Sequence, residues 1–285
     1  MPEPASSPGA ETVHIQIVPA VIWARVSDKV PFSVRGFDEA GRKTTAPKAE
    51  FSLSGLQGEI AKNGTFTPDK NAGMQAGYVI AKVGELESRA RVQVSPGLPM
   101  ELTFEDFEVN KNPPFWPCAS KFIVKSVDDN KVLMKPPSRV GLNRHNLFIG
   151  TSDMSGYTIQ ADLKGVKVKR RSPDMGLIAN RYYFDFMTKK KRLQLRTWPA
   201  ELERFSKEVD FTWTPDIWYT MKMRVDIENG KAIVQGKVWP RDQKEPEAWT
   251  ITAEDPHPNT HGSPGLYGDA PTPIYYDNVK ITRSK

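Results

Sequence analysis

The feature that most restricts this chain is residues 211–240, FTWTPDIWYTMKMRVDIENGKAIVQGKVWP. Over 218–227 the apolar Tyr219, Met221, Met223, Val225 and Ile227 alternate with Thr220, Lys222, Arg224 and Asp226, the period of a strand with one buried face. Asn229-Gly230 follows. That pair between two alternating runs marks a hairpin, because a type I′ turn needs positive φ at both central residues. The return over 232–239 alternates again, with Ile233, Gln235, Lys237 and Trp239 in one phase and Val234, Gly236 and Val238 in the other. A long pair of this kind belongs to an antiparallel sheet. Trp213, Trp218 and Trp239 at its ends are expected to pack in the core, with Trp218 as the anchor, since each buries on the order of 200 Å².

Short alternating runs recur along all 285 residues, so the chain reads as all-β, and its 38% hydrophobic content is enough for about two domains. The single cysteine, Cys118, excludes an intramolecular disulfide and leaves the compartment open. No apolar run reaches transmembrane length, so no membrane span is expected. Residues 1–11 (MPEPASSPGAE) lack the basic and apolar segments of a signal peptide and read as a disordered lead-in. The net charge is +6, but the basic runs 167–171 (KVKRR) and 189–192 (KKKR) sit beside turns and carry no nucleic-acid motif. They read as solvated loop faces, with no nucleic-acid partner. His14 and His145 are isolated, and His257 and His261 fall in a Pro/Asn/Gly loop rather than on a helix, so zinc binding is not expected.

In chain order, strands are expected at 12–18, 30–37, 49–53, 58–68 with an Asn63-Gly64 turn, 76–83 and 87–94, the spacing of an immunoglobulin-like sandwich. GTFTP, AGYVIAKVG and ARVQVSP resemble the closing half of bacterial immunoglobulin-like modules. For residues 12–96 the resemblance implies that fold and an extracytoplasmic setting. SPGLP at 95–99 reads as a stiff boundary, with residues 97–100 as the linker ahead of a second domain at 101–285. In that domain 102–107 (LTFEDF) reads as a strand, 199–209 as a surface loop with at most a turn or two of helix, and 246–253 as a strand placing Trp249 in the core. FEDF, PPFW, GYTIQADLK, WTPDIWYTMKMRV, KVWP, GSPGLYG and YYDNVKI resemble a concanavalin-like jelly roll of the laminin-G, laminarinase and keto-disaccharide hydrolase type. The resemblance implies a last strand lying beside the first, and a chain forming the C-terminal part of a longer secreted bacterial protein with β-propeller repeats.

Alternation also selects candidate site residues. Gln160 and Asp162 share a phase, as do Tyr183 and Asp185, then Gln194, Arg196 and Trp198, and Arg224 and Trp239 fall in the polar phase of the hairpin. Tyr183 and Arg224 are expected on one sheet. Together these residues would make a groove of amides, charges and aromatic plates, suited to stacking sugar rings and pairing with their hydroxyls. The plainer reading is the solvated side of a sandwich. A laminarinase-like enzyme would need Glu-x-Asp-x-x-Glu, which is absent, and no other catalytic constellation is legible. By analogy with calcium-holding jelly rolls, Glu105, Asp106 and Asp277, with Asn278, would supply oxygen ligands to a structural calcium at the seam of first and last strands. The reading is a non-catalytic module of a secreted, periplasmic or cell-surface bacterial protein that binds carbohydrate, such as a cell-surface glycan, or mediates attachment. The alternatives are a glycoside-acting hydrolase of the keto-disaccharide type, or a spacer presenting a partner domain.

Overall fold

The computed structural model describes residues 5–116, 118–138, 143–197 and 204–284. The chain is divided into two compact units, Met1–Gly97 and Leu98–Lys285. The first holds β1 (His14–Val18), β2 (Val21–Arg25), β3 (Val30–Pro31), β4 (Ser33–Phe37), β5 (Glu50–Ser54), β6 (Gly58–Ile60), β7 (Thr65–Pro68), β8 (Gln75–Val83) and β9 (Leu86–Ser95). They form a β1-β4 pair, a β2-β9-β8-β5 sheet and a β3-β7-β6 sheet. Ile17, Phe32, Val34, Phe66, Val79 and Val92 from all three meet in one apolar core. Gly64, at φ 84, sits in the turn before β7, where a Cβ would run into the Phe32 carbonyl oxygen.

The second unit holds β10 (Met100–Leu102), β11 (Ile123–Val127), β12 (Asn130–Lys135), β13 (Arg144–Phe148), β14 (Tyr157–Gly165), β15 (Asp174–Ala179), β16 (Tyr182–Met187), β17 (Arg192–Thr197), β18 (Ser206–Asp210), β19 (Trp218–Glu228), β20 (Lys231–Pro240), β21 (Ile251–Asp255), β22 (Gly265–Asp269) and β23 (Ile274–Arg283). Sheet I runs β11-β12-β23-β14-β19-β20-β21, with β10 also paired to β23, and sheet II runs β13-β22-β15-β16-β17-β18. The expected hairpin is β19-β20, closed by Glu228 opposite Lys231 with Asn229 at φ 49 and Gly230 at φ 77. The last strand pairs with the first, Met100 facing Ile281.

The sheets form a sandwich because each presents one apolar face to the other. Across sheet II, Leu147, Leu266, Leu177, Phe184 and Leu195 lie in register, all fully buried. Sheet I answers with Ile159, Ala161 and Leu163 on β14 and with Met221, Met223 and Val225 on β19. Gly236 on β20 leaves the space that the Phe184 ring occupies, since a Cβ there would lie 2.7 Å from it.

Several expectations change here. The strand expected over 102–107 stops at Leu102, and Ser206–Asp210, expected in a loop or short helix, is the edge strand of sheet II. Trp218 and Trp249 flank the core instead of filling it. Trp218 is half-buried in the outward phase, between the Arg241 guanidinium at 4.7 Å and Lys164 Nζ at 5.1 Å. Trp249 lies over Lys237 on the outer face, at 4.9 Å. In the outward phase the indole face meets cationic side chains, which its negative π-surface attracts, whereas the inner face built of Ile159, Ala161, Leu163, Met221, Met223 and Val225 offers none.

Candidate functional site

The expected single groove is two surfaces. Gln160, Asp162, Arg224 and Trp239 project from β14, β19 and β20 of sheet I, whereas Tyr183, Asp185 and Arg196 project from β16 and β17 of sheet II. Tyr183 and Arg224 are therefore on different sheets. Phase decides which side of its own sheet a residue occupies, and the outer sides of two stacked sheets face opposite ways. Trp198 lies outside the described residues.

On sheet I the outer face is already occupied. Residues 241–250, between β20 and β21, fold back over it: Glu245 bridges Lys222 and Lys237, each at 2.7 Å, and Lys237 Nζ donates to the Pro246 carbonyl at 2.7 Å. Arg224 pairs with Asp226 at 2.7 Å, donates to Gln235 at 2.9 Å and lies under the Trp249 ring at 5.5 Å. Trp239 is 8% exposed. Asp162 accepts from Thr220 Oγ1 at 2.6 Å and from Asn278 Nδ2 at 2.9 Å. A β-bulge at this point, with Asn278 at φ 48, turns Asn278 toward Asp162.

The expected metal seam is likewise made of hydrogen bonds. Asp277 accepts from Asn130 Nδ2 and from the Asn278 backbone, both at 2.8 Å, and Glu105 accepts the Lys131 N–H at 2.9 Å. Among the described residues no three acidic, histidine or cysteine side chains gather as metal ligands. Glu105, Asp106 and Asp277 are thus not brought together.

Sheet II is different. Its register aligns three outward rows. The first is Phe148, Gly265, Ile178, Tyr183 and Arg196, and the second is Asn146, Tyr267, Gly176, Asp185 and Gln194. The third is Arg144, Asp269, Asp174, Met187 and Arg192. At the centre the Arg196 guanidinium lies 4.7 Å from the Tyr183 ring and 5.6 Å from the Tyr267 ring, and the two rings meet edge to face at 5.4 Å. Its Nε donates to Asp185 Oδ2 at 2.6 Å. Asn146 Nδ2 donates to the Tyr183 hydroxyl at 2.8 Å, and Gln194 Nε2 to Ser206 Oγ at 2.9 Å. Tyr183, Asp185, Arg196 and Tyr267 are each only 3% exposed. The more open side is the third row, where the Arg144 and Asp269 side chains, 3.4 Å apart, are about one-third exposed (32% and 31%). In the second row, a Cβ at Gly176 would run into the Phe184 carbonyl oxygen, so the floor between Tyr267 and Asp185 carries no side chain.

This face is costly as built. Asn146 Oδ1, Asp174 Oδ1 and Asp185 Oδ1 are buried with no hydrogen-bond partner, and each open valence of that kind costs on the order of 1–3 kcal/mol. Burial pushes Asp174 up to about 6, helped by the neighbouring charges of Asp185 and Asp269. Burial likewise pushes Asp185 up to about 6 against the pull of Arg196. Burial raises the Tyr183 and Tyr267 hydroxyls as well, so both stay protonated. A carboxyl whose pKa is raised on folding stabilises the fold most below its unfolded value, and that contribution is lost as pH rises through about 6. Asp174→Asn is therefore expected to raise the unfolding free energy by about 1–3 kcal/mol near pH 7.5 and to change it little near pH 4. Urea melts at both pH values check this; an equal effect at both, or a loss at pH 7.5, refutes the burial of this charge. Asp255, held below the usual carboxylate range by Arg204 and the Tyr182 hydroxyl despite its burial, pulls stability the opposite way at lower pH.

Tyr183, Asp185 and Arg196 are thus brought together as the strand phase implies, and Asn146, Tyr267, Arg144, Asp174 and Asp269 join them unforeseen. Tyr267 and Asp269 do share a phase in GLYGD, a signal available in the sequence. That β22 lies between β13 and β15 is not.

No protein-family model matches the chain, and no curated protein sequence does so either. Among solved structures, the carbohydrate-binding module CBM66 from Bacillus subtilis is 13% identical over 56% of this chain and 91% of its own, with a TM-score of 0.41. The Caenorhabditis elegans galectin LEC-6 is 10% identical over 53% of this chain and 96% of its own, at 0.35. A bifunctional GH43-CE protein of Bacteroides eggerthii is 12% identical over 89% of this chain and 38% of its own, at 0.43. At scores and identities this low, the chemistry of the site has to come from its own residues.

Proposed function

We propose that the second unit binds a saccharide on the outer face of sheet II, as a non-catalytic module working in the extracytoplasmic setting that the sequence resemblance implies. One observation supports this reading above the rest. The outer side of a sandwich sheet is ordinarily solvated, yet here it buries two tyrosines, a guanidinium and a carboxylate, and leaves acceptor valences open. Strain of this kind collects where a ligand completes the hydrogen bonding. Sugar hydroxyls are such donors, and the buried Tyr183 and Tyr267 rings hold the acceptors in place beside the more open third row. The plainer reading, a solvated sheet, does not fit residues that are 3% exposed.

A glycan array followed by isothermal titration tests it. A ligand is expected whose affinity falls at least about tenfold in Tyr267→Ala, with the circular dichroism spectrum and melting transition retained, since truncating a central aromatic anchor typically removes about 2 kcal/mol. An array on which nothing binds, or a ligand indifferent to Tyr267→Ala, removes the proposal.

A further inference from the structure

We propose, on the saccharide-binding reading above, that the sugar unit seated on sheet II carries a free amino group, held as an ammonium beside Asp174. The open valences on this face, among the described residues, are all acceptors: Asn146 Oδ1, Asp174 Oδ1 and Asp185 Oδ1. A ligand that completes them has to bring donors, and a carboxylate or sulfate brings none. Charge selects further. The face carries the carboxyls of Asp174, Asp185 and Asp269 against the guanidiniums of Arg144, Arg192 and Arg196, and Arg192 is paired at the sheet edge with Glu208 at 2.5 Å and Asp210 at 3.6 Å. Arg196 is spent on Asp185 at 2.6 Å, and Arg144 stands 3.4 Å from Asp269. Asp174 is directly opposite Asp269 in the register, and its negative neighbours outweigh the small pull of exposed Lys190. It accepts the Thr188 backbone N–H, while Oδ1 stays open. The side chain of Asp185 is 4% exposed and still lacks a donor at Oδ1, so the want of donors extends into the buried floor of the face. A hydroxyl placed here supplies a hydrogen bond alone. An ammonium supplies up to three, together with attraction to the Asp174 carboxylate, the one carboxylate of the three rows with no guanidinium paired to it among the described residues, in a site of low water content. His145, on β13, belongs to the opposite face, in register with Gly268, and adds no cation to this one.

Isothermal titration of the full chain with three β-1,4 oligosaccharides of equal length, built of glucosamine, N-acetylglucosamine or glucose, decides the matter. At neutral pH and low salt the glucosamine oligomer is expected to bind at least about tenfold more tightly than the other two, because acetylation and replacement by hydroxyl both remove the charge. Asp174→Asn should abolish that preference, bringing the glucosamine oligomer to the affinity that the same variant shows for the glucose oligomer. Equal binding of the three, or preference for the acetylated form, overturns the ammonium while the saccharide reading stands. If none of the three binds, hits on the array sort the same way: amine-bearing hits support the proposal and hits without amines overturn it. An empty array is the separate failure that removes the saccharide reading itself.

Discussion

Arg196→Ala is expected to lower the unfolding free energy by about 3–5 kcal/mol, the largest single loss available on the outer face of sheet II. The guanidinium and the Asp185 carboxylate are both 4% exposed by side chain and meet at 2.6 Å. Removing the cation strands a buried carboxylate that already lacks a partner at Oδ1, and it also removes the filling against the Tyr183 and Tyr267 rings. The double variant Arg196→Met with Asp185→Leu is expected to recover most of the loss, since replacing a buried pair by apolar residues of similar size is often neutral or better. A double-mutant cycle in urea measures the coupling. Single and double variants of equal stability would show that the pair is solvated rather than buried.

Phe184→Ala should cost a similar amount, about 3–5 kcal/mol, for a different reason. Its ring is fully buried between the sheets over the hollow at Gly236, which no neighbour can fill. A cavity remains where dispersion contacts were, and the two hydrogen-bonded sheets have little freedom to collapse into it. Trp218→Ala is the matched control. Although tryptophan is the larger residue, its half-buried ring on the outer face, beside Arg241 and Lys164, is expected to contribute only about 1 kcal/mol, the scale of an exposed cation–π contact. Chemical denaturation of both variants checks the order. If Trp218→Ala proves the more damaging, the two faces of β19 have been exchanged.

The two variants also mark what the sequence could and could not disclose. The alternation over 218–227 and 232–239, with Asn229-Gly230 between, is local information, and the β19-β20 register follows from it residue for residue. Tyr183, Asp185 and Arg196 were legible as site residues for the same reason, being neighbours on a second tight hairpin, β16-β17. Partners from distant strands were not. Asn146 opposite Tyr267, and Asp174 opposite Asp269, are pairings between segments on the far side of the unit's sequence, and period-2 patterning carries no trace of them. Residue size misled at Trp218 and Trp249, because placement depends on which neighbours meet the indole face as much as on apolar area. The groove was split for a further reason: polar phases on two sheets look identical in one dimension.

β23 has a consequence for how the second unit is made. Residues 274–283 enter sheet I between β12 and β14 and also carry β10, so a strand that comes after all the others in sequence joins segments that precede it. While the polypeptide leaves the ribosome, β12 and β14 therefore each wait with one unpaired edge, and the hairpins of sheet II can close before their opposing layer is complete. Closure by distant segments is slow and leaves adhesive strand edges open in the meantime. A nascent chain paused just short of residue 274 is thus the form most exposed to aggregation and to capture by chaperones, whereas the Met1–Gly97 unit, whose own last strand β9 closes on β2, has all its strands synthesised well before that point.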